Sequence, residues 1–167
     1  MAILKIKNCL DPMLKRRSKV VCLAEIDSIA GRLIVDMIDT MYFYQGVGLA
    51  APQVGSPLKI IIANPSQVKG EEIILFNPTI IAKQGNSSMD EGCLSIPGFT
   101  AYVKRASKIS VTAIDRDKKR VKIDAEGLLA RVLQHEVDHI NGILFIDRVS
   151  LLKRAGIMKN FKKSLRK

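Results

Sequence analysis

The chain has 167 residues, 47% of them hydrophobic and 26% charged, with a formal net charge of +11 and three cysteines. That length suits one domain with its own core, no apolar run is long enough to span a bilayer, the N terminus lacks the features of a signal peptide, and three scattered cysteines make no disulfide framework, so a cytoplasmic protein is expected. Residues 148–167 hold eight lysines and arginines and no acid, which leaves the remainder only mildly basic and argues for an acidic partner at one end, not a nucleic-acid groove through the core.

Residues 2–7 read as extended, and Asp11-Pro12 suits the cap and first position of a short turn through Arg17. The spacing of Ile26, Ile29, Leu33, Ile34, Met37, Ile38 and Met41 predicts a long helix over 24–44, ended by Gln45-Gly46. Gly46-Val47-Gly48-Leu49-Ala50-Ala51-Pro52-Gln53 superficially matches a dinucleotide fingerprint. A helix precedes it where that fingerprint needs a strand, and Pro52 would disrupt a helix begun at Leu49. The better reading is a loop whose glycines admit another backbone and whose Gln53 presents an amide. Strands are expected at 58–63, 72–76 and 79–83, broken by Asn64-Pro65, Lys69-Gly70 and Asn77-Pro78, followed by a polar loop over 84–90. Ile109, Val111 and Ala113 alternate as a half-buried strand, Asp115 to Lys119 turns, and 120–123 returns. Asp124 is a candidate cap for the next helix and Asn141-Gly142 its stop. A short strand is expected around 143–146. Leu151, Ala155, Met158 and Leu165 trace one apolar face of a C-terminal helix.

The helix begun near Asp124 carries the strongest chemical signal. The only two histidines, His135 and His139, lie four residues apart and so share a helical face. Glu136 follows the first directly, which gives H-E-x-x-H: two metal ligands and a carboxylate placed to take a proton from water. A site of this kind needs a third protein ligand. Cys22, in Val20-Val21-Cys22-Leu23-Ala24, reads as a small core residue. Cys9 near a turn is ambiguous. Cys93, between a glycine and a turn signal, is the best placed, with Asp and Glu residues still open.

Three stretches together resemble the peptide deformylase family: Gly46-Val47-Gly48-Leu49-Ala50-Ala51-Pro52-Gln53, Glu91-Gly92-Cys93-Leu94-Ser95 and Gln134-His135-Glu136-Val137-Asp138-His139. They match the family's G-x-G-x-A-A-x-Q, E-G-C-L-S and Q-H-E-x-D-H motifs in order, and the similarity runs from about residue 2 to about residue 149. The expected fold is α+β, with antiparallel sheets packed around a central helix carrying the histidines, a long N-terminal helix and a C-terminal helix. A catalytic domain over 1–149 and a basic helical tail over 150–167 are expected.

The resemblance implies Cys93, His135 and His139 as ligands of one divalent metal, Fe²⁺ foremost, with Zn²⁺, Ni²⁺ or Co²⁺ able to replace it. It further implies Glu136 as the proton-transfer group, and Gln53, the Leu94 N–H and the metal as stabilisers of the oxyanion formed in removing the formyl group from N-formylmethionyl peptides. Gly46, Val47 and Gly48 are expected to pair with an extended peptide, and Val47, Leu128 and Val132 to wall a methionine pocket. Glu91 and Arg105 match family positions that brace the cysteine segment, while the direction of Arg131 is open. The tail is a candidate ribosome anchor; no membrane and no sequence-specific nucleic acid are expected. A zinc peptidase using the same histidines is the chief rival, and a basic nucleic-acid-binding module is a weaker one that leaves Glu136 without a role.

Overall fold

A computed structural model describes residues 2–166. It has seven strands: β1 (Gly48–Ala50), β2 (Ile60–Ala63), β3 (Ile73–Gln84), β4 (Ser87–Gly92), β5 (Thr100–Arg105), β6 (Lys108–Ile114) and β7 (Arg120–Glu126). Five form an antiparallel sheet in the order β1-β2-β3-β6-β7, and β4 pairs with β5 in a separate hairpin. The four α-helices are α1 (Ile26–Ile29), α2 (Val35–Phe43), α3 (Gly127–Ile140) and α4 (Leu151–Ser164). The class is therefore α+β with antiparallel sheets.

The wholly buried strand β2 explains the layering. Its side chains alternate across the sheet: Ile61 and Ala63 join the cluster of Val132, Leu133, Val137 and Ile140 from α3, while Ile60 and Ile62 join Met37 and Met41 from α2. The sheet thus carries one helix on each face. Each buried leucine or isoleucine in these clusters contributes about 1.5–3 kcal/mol on leaving water, so α3 is held by its apolar stripe and its polar stripe is free for other work.

Several boundaries differ from the sequence expectation. The helix expected over 24–44 changes type along its length: a 3₁₀ turn at Leu23–Glu25 leads into α1, a π turn spans Ala30–Ile34, and α2 follows. Gly31, the poorest helix former in the run, lies in that π turn. The expected break at Asn77-Pro78 is a bulge inside β3, where Asn77 adopts φ 53° and its side-chain amide bonds both backbone groups of Val21. Asp124 is not a helix cap; it lies in β7 and bonds Ser110, while Glu126 occupies the cap position of α3. The apolar run at 143–146 is not a strand. It feeds a buried 3₁₀ turn, Phe145–Arg148, closed by the Leu144 N–H donating to Asp147.

The C-terminal helix also packs by a different face. Ile157 and Phe161 are buried in a third cluster with Ile96, Val103 and Phe145, and Met158 packs against it. Leu151, expected on that face, is 81% exposed, and Ala155 and Leu165 are exposed as well. Among the described residues, no helix is long and apolar enough to cross a membrane.

Candidate active site

Three elements deliver the chemistry to one place. Helix α3 presents Arg131, His135 and His139 along one face, with Glu136 beside them. The end of β4 brings Glu91, and Cys93 follows it. The 3₁₀ turn Ala51–Val54 brings Gln53. The Cys93 Sγ lies 3.3 Å from His139 Nε2, which lies 3.2 Å from His135 Nε2. All three donor atoms fall within 4.8 Å of one another.

This donor set fits one metal ion. One thiolate and two imidazoles suit Zn²⁺ or Fe²⁺, and a set of three leaves a position for water. Orientation supports the same reading: the His135 Nδ1 is taken by Glu91 Oε2 at 3.1 Å, which turns Nε2 toward Cys93 and His139. Among the described residues, no other trio of Cys, His, Asp or Glu clusters this way. The two imidazoles are driven in opposite directions. Burial depresses His135, but its bonds to the Cys93 sulfur and the Glu91 carboxylate raise it to about 10, and burial together with that charge pushes His139 well down.

Glu136 is only 4% exposed, and its Oε2 is buried without a hydrogen-bond partner. Burial raises it from 4.5 to about 7 against the pull of His135 and Arg105. Gly48 lies directly over it: a Cβ there would meet Glu136 Oε1 at 2.5 Å and Val132 Cγ1 at 2.8 Å. The glycine thus admits the carboxylate to the floor of the cleft.

Gln53 is oriented from both ends of its amide. Its Oε1 accepts from the Ala50 N–H at 2.8 Å, so its Nε2 faces Ser95 Oγ at 3.3 Å and the Cys93 sulfur at 3.5 Å. A cleft of about 720 Å³ opens over these groups. Gly46, Val47, Gly48, Leu94, Leu128 and Val132 all line it.

Glu91 and Arg105 form a buried pair: Arg105 Nε and Nη2 donate to the two carboxylate oxygens at 2.6 and 2.9 Å, and Arg105 Nη1 reaches Asp138 at 2.8 Å. Burial would raise Glu91, but bonds from His135 and Arg105 hold it down at about 2. Arg148 closes the group from outside, with Nη2 at 2.5 Å from Asp138 Oδ1. Sequence reasoning missed Asp138 and Arg148 as partners, although Asp138 lies inside the histidine motif. Arg131 now has a place, one turn before His135 and bonded to Glu91. Of the other cysteines, Cys9 is buried against Met158, whereas Cys22 is exposed at the start of a 3₁₀ turn. The core assignment for Cys22 was wrong because Val21 alone of that apolar run turns inward; Val20 and Leu23 are 63% and 51% exposed.

A cysteine, two histidines and a buried glutamate under an open cleft, on an α+β scaffold, form a candidate mononuclear metal site of the kind hydrolases use. Residues 3–155 match the polypeptide deformylase family. The chain is 46% identical over 164 residues to the peptide deformylase of Thermodesulfovibrio yellowstonii, covering 97% of this chain and 98% of that one. It is 50% identical over 149 residues to that of Halothermothrix orenii, covering 89% and 95%. Its structure superposes on the crystal structure of a peptide deformylase from Legionella pneumophila with a TM-score of 0.93 at 44% identity, covering 99% of this chain and 96% of that one. The chain belongs to the polypeptide deformylase family. It is an enzyme that hydrolyses the formyl group from the N terminus of newly made proteins.

Proposed function

We propose that Cys93, His135 and His139 hold one divalent ion, Fe²⁺ in the first instance, and that Glu136 is the proton-transfer group of the deformylation. The observation that carries this reading is the unpartnered, buried Glu136 carboxylate beside the three converging donor atoms. When bound, the ion supplies Lewis acidity and makes a water acidic near neutral pH. Glu136 takes a proton from the attacking water and returns it to the departing amine. A carboxylate raised to about 7 is matched to that exchange at neutral pH. The Gln53 amide, fixed by Ala50 with its N–H groups turned toward Cys93 and Ser95, and the Leu94 backbone N–H stabilise the developing oxyanion.

The formylmethionyl peptide lies along Gly46, Val47 and Gly48 as an added strand, an arrangement that reads backbone and so tolerates varied sequences. Val47, Leu128 and Val132 receive the methionine side chain. Glu91 and Arg105 brace the cysteine segment and His135. The basic helix α4, as a tail to the catalytic residues 1–149, holds the enzyme near its substrate through ribosomal RNA phosphate in the cytoplasm.

Formate release from formyl-Met-Ala-Ser, with and without chelator, tests the reaction and separates it from peptide-bond cleavage at the same histidines. Glu136→Gln keeps the shape of the side chain and removes its basicity, so metal content should hold while turnover falls about 10²–10⁴-fold. The wild-type rate should fall as pH drops through a midpoint at or below 7, because a bound cation favours the Glu136 carboxylate. Near-normal turnover in Glu136→Gln, or a site emptied of metal, removes Glu136 from this role.

A further inference from the structure

Arg131 is one of the least expected residues in the molecule. It sits in the middle of an apolar stretch, Leu128-Leu129-Ala130-Arg131-Val132-Leu133, and is only 5% exposed. A guanidinium taken out of water needs good partners; both Nη groups of Arg131 find them, while its Nε is buried without one. Its partners lie on both strands of the β4–β5 hairpin. Nη1 donates to Glu91 Oε1 and, at 3.1 Å, to the Val103 carbonyl of β5. Nη2 donates to the Ser87 carbonyl of β4 at 2.8 Å.

The geometry points to Arg131 as a positioning residue for the metal ligand His135, acting through Glu91. The inference rests on the proposed ligand role of His135. Glu91 accepts four hydrogen bonds: Oε1 from Arg105 Nε and Arg131 Nη1, Oε2 from Arg105 Nη2 and His135 Nδ1. Arg105 grips the carboxylate edge-on with its fork, one N–H to each oxygen. Arg131 approaches Oε1 from α3 and ties it to both strands of the β4–β5 hairpin. With two guanidinia holding it, the carboxylate presents Oε2 to His135 in one orientation. That fixes the imidazole as the Nδ1–H tautomer with its Nε2 lone pair turned toward Cys93 and His139.

The spacing gives the contact a further use. Arg131 and His135 stand one helical turn apart on the same face of α3, so Glu91 bridges a residue and its own neighbour on that face. A shift of α3 along its axis relative to the hairpin therefore strains the Arg131 and His135 contacts to Glu91 together. The hairpin carries Glu91 and leads into Cys93, so the same clamp keeps the thiolate and the imidazole in register.

Metal affinity and the spectrum of the Co²⁺-substituted enzyme test this. Arg131→Met keeps the bulk and removes the fork; Arg131→Lys keeps a cation but cannot reach Glu91, Val103 and Ser87 from one planar group. Arg131→Met should bind Co²⁺ about 10–100-fold more weakly in chelator competition, the range for loss of a group that orients a metal-bound histidine. Its d–d and thiolate charge-transfer bands should shift, with Arg131→Lys intermediate. His135→Ala is the control: if it retains the metal, the ligand assignment fails. If His135→Ala loses the metal while a folded Arg131→Met keeps wild-type affinity and spectrum, only the positioning role is overturned. Unfolding of both Arg131 variants would assign the residue to the scaffold and also overturn it.

Discussion

Two regions of this molecule are rich in charge and use it in opposite ways. Glu91, Arg105, Arg131 and Asp138 are all at most 7% exposed and meet one another behind the candidate metal centre. Lys153, Lys159, Lys162 and Lys163 stand on the exposed side of α4. A buried charge must be met by a partner at bonding distance, so its position dictates the backbone around it. A charge in water demands nothing of the fold and acts only through its field. The first group is therefore part of the site's geometry. The second can be changed with little structural consequence, and its meaning depends on what lies outside the molecule.

Breaking the first group should give the largest effect. Arg105→Met leaves Glu91 and Asp138 buried with one arginine each and should cost about 3–5 kcal/mol of stability in denaturant unfolding. Its pH dependence sharpens the point. Glu91 is held at about 2 against an ordinary 4.5, a depressed carboxylate. Its contribution is thus complete above 4.5 and lost as pH falls toward 2. The gap between wild type and Arg105→Met should narrow over that window. A gap under about 1 kcal/mol at neutral pH would put the cluster on a par with exposed ion pairs.

A smaller effect is expected where geometry matters without charge pairing. Gly48→Ala places a methyl where Glu136 Oε1 and Val132 now sit. Displacement of the carboxylate by about 1 Å should lower turnover about 10²-fold. Metal content should hold, because the atoms nearest the added methyl belong to Glu136 and Val132 and not to the three donors. Unchanged turnover would mean that Glu136 can retreat at no cost and that its present place is not the working one.

The contrast also marks what the sequence could reveal. H-E-x-x-H lies within five consecutive positions, so periodicity alone brings its side chains together on α3. Cys93, Gln53 and Gly48 come from distant turns, and their convergence rested on the resemblance to known motifs. The cluster of 91, 105, 131 and 138 was only half legible, because its pairs span up to 40 positions and no local pattern distinguishes Arg131 from a surface arginine. Strand β4 was hidden for a related reason. Ser87-Ser88-Met89-Asp90 has no apolar alternation, since the two-stranded hairpin leaves most of that strand exposed. Asn77-Pro78 misled in the other direction, because a bulge and a strand end use the same residues.

The smallest structural effect, and the sharpest test of the exposed group, lies in α4. Its buried residues Ile157 and Phe161 share a cluster with Ile96, and Phe161 packs edge-on against Phe99 at 6.0 Å, a few residues beyond Cys93. Deleting residues 150–167 would therefore remove core as well as charge, and lost activity in that truncation would say nothing about ribosomes. Replacing Lys159, Lys162 and Lys163 with Gln separates the two, since all three are exposed while Ile157 and Phe161 stay in place. Stability should change by less than about 0.5 kcal/mol, as for ordinary surface substitutions. Turnover on a free formyl tripeptide should be nearly unchanged. Ribosome affinity should fall, and its dependence on salt should become shallower, because fewer counterions are released when fewer cations meet phosphate. Equal affinity and equal salt slopes for the two proteins would leave α4 as a packed helix with a solvated basic face, and the anchor would have to lie elsewhere on the chain.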